Sequence, residues 1–182
     1  MPHAVTHVLI PIILLSLFRD FFLNDKQRKR FPLHYVLIAG VAGLLPDIDV
    51  IVYYVMSFFG YSLSEVHRTF SHNLFVVLLF VVLGVVAYVF GFRNKELGKH
   101  HLRLDKIFYV IAFGVFVHLV LDFVVAGIIM PFYPLSDWSI GLNTIRYLPN
   151  AWQDSFVPSL DAGLLILWLV YMEFKHKISD FI

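Results

Sequence analysis

Cysteine is missing from all 182 residues, so disulfides, thiolate metal sites and cysteine nucleophiles are excluded. Charge is scarce as well. Asp, Glu, Lys and Arg make up 15% of the chain and hydrophobic residues 59%, whereas soluble domains average about 25% and about 45–50%. A mean hydropathy of +0.79 belongs to an integral membrane protein, with residues 1–182 read as one membrane-embedded domain. An excess of positive charge is lacking too: the net charge is +1, and the basic residues fall in short loops rather than along a stripe. Nucleic acid is therefore not an expected partner. Residues 1–7 carry no basic run of the kind that opens a secretory signal, and the first apolar segment is read as a retained span.

What the chain does have is long apolar runs, at Ala4–Leu23, Leu33–Gly60, Asn73–Phe92, Ile107–Met130 and Leu160–Phe174. A span needs about 17–25 mostly apolar residues. An all-α membrane bundle of about five transmembrane helices is expected, although the first segment contains Pro11 and the pair Arg19/Asp20, and the fifth is short. Twelve of the fourteen Lys and Arg residues fall in the 23–32 loop, the 93–106 loop, the C-terminus and the nearby Arg19; only Arg68 and Arg146 lie in the alternate loops. The positive-inside rule makes the basic side cytoplasmic, with the N-terminus outside and the C-terminus inside. Trp138 and Trp152 then sit in a long outer loop, 131–159, near headgroup level.

Against this apolar background four polar clusters stand out: Thr6-His7, Leu45-Pro46-Asp47-Ile48-Asp49, His67-Arg68-Thr69-Phe70-Ser71-His72, and His118 with Asp122. A bare carboxylate at the centre of a span costs roughly 2.5–3.5 kcal/mol. Three such carboxylates with imidazoles nearby suggest a bound cation that offsets the cost. Depth supports this. With a rise of about 1.5 Å per residue, Asp47 lies about 21 Å, His118 about 16 Å and Asp122 about 22 Å from the inner end of a core of about 30 Å. His7 falls near the outer end of the first segment, and His67 and His72 flank the outer start of the third. All four clusters meet in the outer half of the bilayer.

Local geometry is suitable for coordination. His118 and Asp122 are i and i+4 and share a helix face. Asp47 and Asp49 do not share one on a regular helix, but Pro46 should break the helix there, and irregular backbone at that depth implies a cavity or protein cover. Ser71 is the expected N-cap of the third helix. Seven side chains, His7, Asp47, Asp49, His67, His72, His118 and Asp122, exceed the ligands of one zinc. Either two ions are held, or some carboxylates orient histidines from behind. Nitrogen and oxygen donors without sulfur suit Zn foremost, then Mn, Co or non-haem Fe.

Taken in order, these motifs resemble the YdjM-like family of membrane-bound proteins described as LexA-regulated, inner-membrane-associated, metal-dependent hydrolases. Its pattern is an early Thr-His, a Leu-Pro-Asp-x-Asp, a His-Arg-x-x-Thr-His-Ser and a later His-x-x-x-Asp. Here Ser71 replaces the threonine and Asn73 the serine, while both histidines stay. The likeness covers roughly residues 1–135 and implies metal-assisted hydrolysis at the inner membrane.

The expected chemistry is acidification of a water by one or two divalent ions, with Asp49 as proton acceptor and Arg68 steadying negative charge. A site at that depth suits a membrane lipid or lipid-like substrate, such as a phospholipid or polyprenyl phosphate ester. Rival readings are a transporter of divalent cations or protons using the same Asp/His cluster, a bis-histidine haem protein, and a plain polar network tying the bundle together. Glu65 is a loop carboxylate or a base. Arg146, Asp137, Asp154 and Asp161 are candidate outer-loop contacts. His3, His100, His101 and His176 are read as solvated or terminal.

Overall fold

The computed structural model describes residues 4–62, 70–90, 96–97, 102–125 and 127–177. It is helical almost throughout. Helix α1, Ala4–Leu17, runs on through a π-helical turn, Phe18–Phe22, with Pro11 accommodated in its interior. Helix α2, Asp25–Lys29, is a single turn opened by a capping box between Asn24 and Gln27. Helix α3, Leu33–Ala42, follows Pro32.

The second apolar run is broken at Pro46, as expected. A 3₁₀ turn, Pro46–Ile48, separates α3 from helix α4, Asp49–Ser57, and the two halves are bent by 44°. Helix α5 spans Leu74–Val89. A two-residue hairpin, β1 Glu96–Leu97 with β2 Leu102–Arg103, leads into helix α6, Leu104–Val125. Helix α7, Asn150–His176, closes the described chain.

Three boundaries differ from the sequence reading. The N-cap of α5 is Asn73, whose side chain accepts from the backbone of Phe75 and Val76; Ser71 instead bonds to Asp49. Helix α6 stops at Val125, and the apolar residues 127–130 are not helical, with Ile129 bridged to Ile140, because hydropathy alone does not separate helix from buried extended chain. Helix α7 starts ten residues earlier than the apolar run, since Gln153 and Asp154 dilute its first turns without breaking the helix. Trp152 and Asp154 are thereby helical, not in a loop.

Ala4–Phe22, Leu104–Val125 and Asn150–His176 are each long and apolar enough to cross a membrane, and the bent pair α3/α4 makes a fourth if it counts as one span. Helix α5, at 16 residues, is shorter than a usual span of about 17–25.

Helix α3 packs on α1 and α6, α5 lies against α6, and α7 lies along α1. Ile12 and Leu15 of α1, Tyr35, Val36 and Ala39 of α3 and Val110 of α6 form the buried core. Below it is a basic end, where Lys106 reaches the carbonyl of Arg30 and the Tyr35 hydroxyl accepts from the Arg103 backbone. Asp20 is buried there and accepts from Arg19 at 2.6 Å, Tyr171 at 2.6 Å and His176 at 3.1 Å. His176 is therefore a partner of Asp20 and not an idle tail residue. At the other end of the core the polar clusters meet.

Candidate metal centre

Two glycines set the distance between the helices that meet at this end. A Cβ on Gly114 of α6 would collide with the carbonyl of Ala39 and the side chain of Ala42 on α3, and one on Gly43 would collide with the His7 carbonyl. One turn beyond Gly114, on the same face of α6, stands His118. Its Nδ1 lies 2.6 Å from the Gly43 carbonyl oxygen. A carbonyl only accepts, so Nδ1 carries the proton and Nε2 is left with its lone pair free to bind a metal.

His72, held just before α5, brings its Nε2 to 3.1 Å from that of His118. Asp47 Oδ1, from the Pro46 break, is 3.5 Å from His72 Nε2 and 3.6 Å from His118 Nε2. Asp122 Oδ2, one turn past His118, is 3.5 Å and 3.8 Å from the same two nitrogens. Ligands about 2.0–2.2 Å from a tetrahedral zinc stand roughly 3.3–3.6 Å apart. The five separations bracket that value. Two buried imidazoles and two carboxylates, with no sulfur, are a fitting donor set for a divalent transition ion.

The remaining predicted residues take different places. Asp49 lies on the far side of His72: its Oδ2 is 3.3 Å from His72 Nδ1 and accepts from the Ser71 hydroxyl at 2.7 Å. That is the position of a carboxylate that orients a ligand histidine. His7 stacks on His118 with ring centroids 3.8 Å apart, and its Nε2 is 3.5 Å from Asp122 Oδ1. Its Nδ1 is buried and unpaired among the described residues. His7, His118 and Asp122 form one triad with metal-ligand spacing, and Asp47, His72 and His118 form another. His67, Arg68 and Glu65, like His3, His100 and His101, lie outside the described residues.

Burial is almost complete. The side chains of His72 and His118 are 0% exposed and that of Asp122 is 3%, whereas Asp47 is 34% exposed and marks the open side. One participant escaped the sequence reading. The Thr6 hydroxyl donates to the buried Asp161 carboxylate, so α7 contributes a buried acid that holds the residue preceding His7. The signal was an Asp at the start of the fifth apolar run, spaced too far along the chain to be grouped with the others.

A family model described as YdjM inner membrane protein matches residues 1–177. Comparison with curated proteins gave no match, and comparison with solved structures gave none either.

Proposed function

The chain belongs to the YdjM inner membrane protein family, and on that footing we propose that it is a metal-dependent hydrolase whose reaction takes place at the buried histidine–aspartate centre. The observation that carries this reading is the approach of Asp47 Oδ1 and Asp122 Oδ2 to the paired His72 Nε2 and His118 Nε2, with imidazole–imidazole and imidazole–carboxylate separations of 3.1–3.8 Å. Those four atoms would hold the ion. When bound, it supplies Lewis acidity toward a water and toward an ester oxygen.

One ion is favoured over two. His118 has a single nitrogen to offer, because its other one is committed to Gly43, and both candidate triads need it. Zinc suits the donor set best, with manganese, cobalt or iron as substitutes. His7 supports the centre by stacking on His118 and facing the outer oxygen of Asp122. Asp49 serves as a positioning residue that keeps the His72 ring oriented, and Asp47, the exposed member, takes the proton from water.

The five-span topology, with the centre in the outer half of the bilayer, belongs to the same proposal. Its support is the separation of the centre from the basic end by an apolar core together with the positive-inside rule. A centre at that depth suits an amphiphilic ester, and a phospholipid or polyprenyl phosphate is the substrate class we favour.

The transport reading fares worse. Ile12, Leu15, Val36, Ala39 and Val110 fill the helix turns between the metal centre and the Asp20 cluster, which leaves an apolar plug where a relay needs polar steps. A haem reading fares worse still, since the His72 and His118 rings touch edge to face with centroids 5.0 Å apart, with no room for a porphyrin plane. Purified protein should hydrolyse extracted membrane lipids, and Asp47→Ala should abolish the reaction while leaving the protein folded. Equal turnover by the variant would remove the hydrolase reading, and metal flux into proteoliposomes would replace it with transport.

A further inference from the structure

Beyond α6 the chain folds back and is fastened to the helix it has just left. The backbone N–H of Gly127 donates to the carbonyl oxygen of Asp122 and that of Leu142 to the carbonyl oxygen of Phe123, each at 2.7 Å, while Ile129 and Ile140 exchange two hydrogen bonds of 2.9 Å. The segment from Gly127 to Leu142 thus hangs from the turn of α6 that carries Asp122. A cavity of about 460 Å³ opens against it, lined by Ile128, Gly141, Leu142, Asn143, Arg146 and Tyr147. Ligand pockets for small molecules run to about 300–1,000 Å³, so this one has room for a whole headgroup and not merely an ion.

Three of its lining residues carry side-chain donors that have no partner among the described residues. Asn143 starts the 3₁₀ turn Thr144–Tyr147 in a left-handed conformation, φ 49°, and its side chain does not cap that turn. The Arg146 guanidinium and the Tyr147 phenol likewise make no side-chain hydrogen bond or ion pair among the described residues. Arg146 is also the lone Lys or Arg between α6 and α7, at the end of the bundle away from the basic loops. A planar guanidinium with an amide and a phenol beside it offers several N–H and O–H donors to one tetrahedral oxyanion.

We propose that this cavity binds the phosphate group of the amphiphile, with Arg146 pairing with its oxygens and Asn143 and Tyr147 donating to the remainder. The cavity would thereby hold a phosphorylated headgroup beside the turn that presents Asp122 to the metal centre. The inference rests on the hydrolase reading only in calling that ligand a substrate; the binding itself does not require it.

The test uses the full chain in uncharged detergent, stripped of metal by chelation so that phosphate has no ion to bind. Calorimetric titration compares inorganic phosphate, a short-chain phosphatidic acid and the matching uncharged diacylglycerol. We expect a phosphate-bearing probe to bind and the diacylglycerol not to. Arg146→Gln should weaken binding roughly 10- to 100-fold, as loss of a hydrogen bond to a charged group does, with Arg146→Lys in between and Tyr147→Phe causing a smaller loss. Binding of inorganic phosphate as tight as that of the lipid would identify free phosphate as a ligand; binding of the lipid alone would identify the headgroup. Either supports the site. Equal affinity in Arg146→Gln, binding of the diacylglycerol, or no binding of any phosphate compound would overturn it. Because the readout is binding to metal-free protein, it stands or falls separately from the hydrolysis assay on Asp47→Ala.

Discussion

His118 donates from Nδ1 to the carbonyl oxygen of Gly43 across 2.6 Å, and that contact ties helix α6 to the point where α3 ends. A carbonyl cannot donate, so the bond fixes the tautomer of the ring and aims Nε2 at His72, Asp47 and Asp122. The Pro46 break follows three residues later. One hydrogen bond therefore couples the broken backbone to the ligand set.

Metal content should follow this arrangement. Protein purified without added metal should carry about one divalent ion per chain, and His118→Ala or His72→Ala should lose it. Asp49→Asn should keep the same stoichiometry at saturating metal but bind about 10- to 100-fold more weakly, the usual effect of removing a carboxylate behind a ligand histidine. Elemental analysis and metal titration read both effects. Stoichiometry that survives His118→Ala would remove the centre.

Close approach of α3 and α6 should be sensitive to a single methyl group. Gly114→Ala pushes a Cβ into the Ala39 carbonyl and the Ala42 side chain, and overpacking of this kind costs about 1–3 kcal/mol. Denaturation of metal-free protein in detergent should show that loss, and metal affinity should fall with it because His118 is displaced. Gly163→Ala, where a Cβ meets nothing within 4 Å, is the control: it should leave metal affinity unchanged and not lower stability, since Ala favours a helix interior over Gly.

The absence of cysteine makes orientation directly measurable. A single cysteine at Ser136, in the segment between α6 and α7, should react with a membrane-impermeant thiol reagent in cells whose cytoplasmic membrane is accessible and intact. One at Gln27, in the basic loop, should react only after lysis. The reverse pattern would invert the proposed topology and place the centre near the cytoplasmic face.

Much of this was legible from residue types. Long apolar runs forced helices, Pro46 forced a break, and the spacing of His118 and Asp122 forced a shared face. Boundaries were less legible where hydropathy and helicity part company. Asn150–His176 opens with polar turns that stay helical, and residues 127–130 are apolar yet not helical. The roles of His176 and Asp161 were not legible because their partners, Asp20 and Thr6, lie more than 150 positions away.

Local chemistry written along the chain determined on its own that this is a helical membrane protein with acids and imidazoles gathered at one level of its helices, since apolar run length and helical rise depend only on near neighbours. Tertiary structure decided which of them face one another. Asp47 and Asp122 meet the Nε2 atoms while Asp49 stands behind His72, and Gly43 selects the tautomer of His118. These assignments depend on the angle of the break and the approach of α3 to α6, which are set by packing between segments far apart in the chain and leave no local trace.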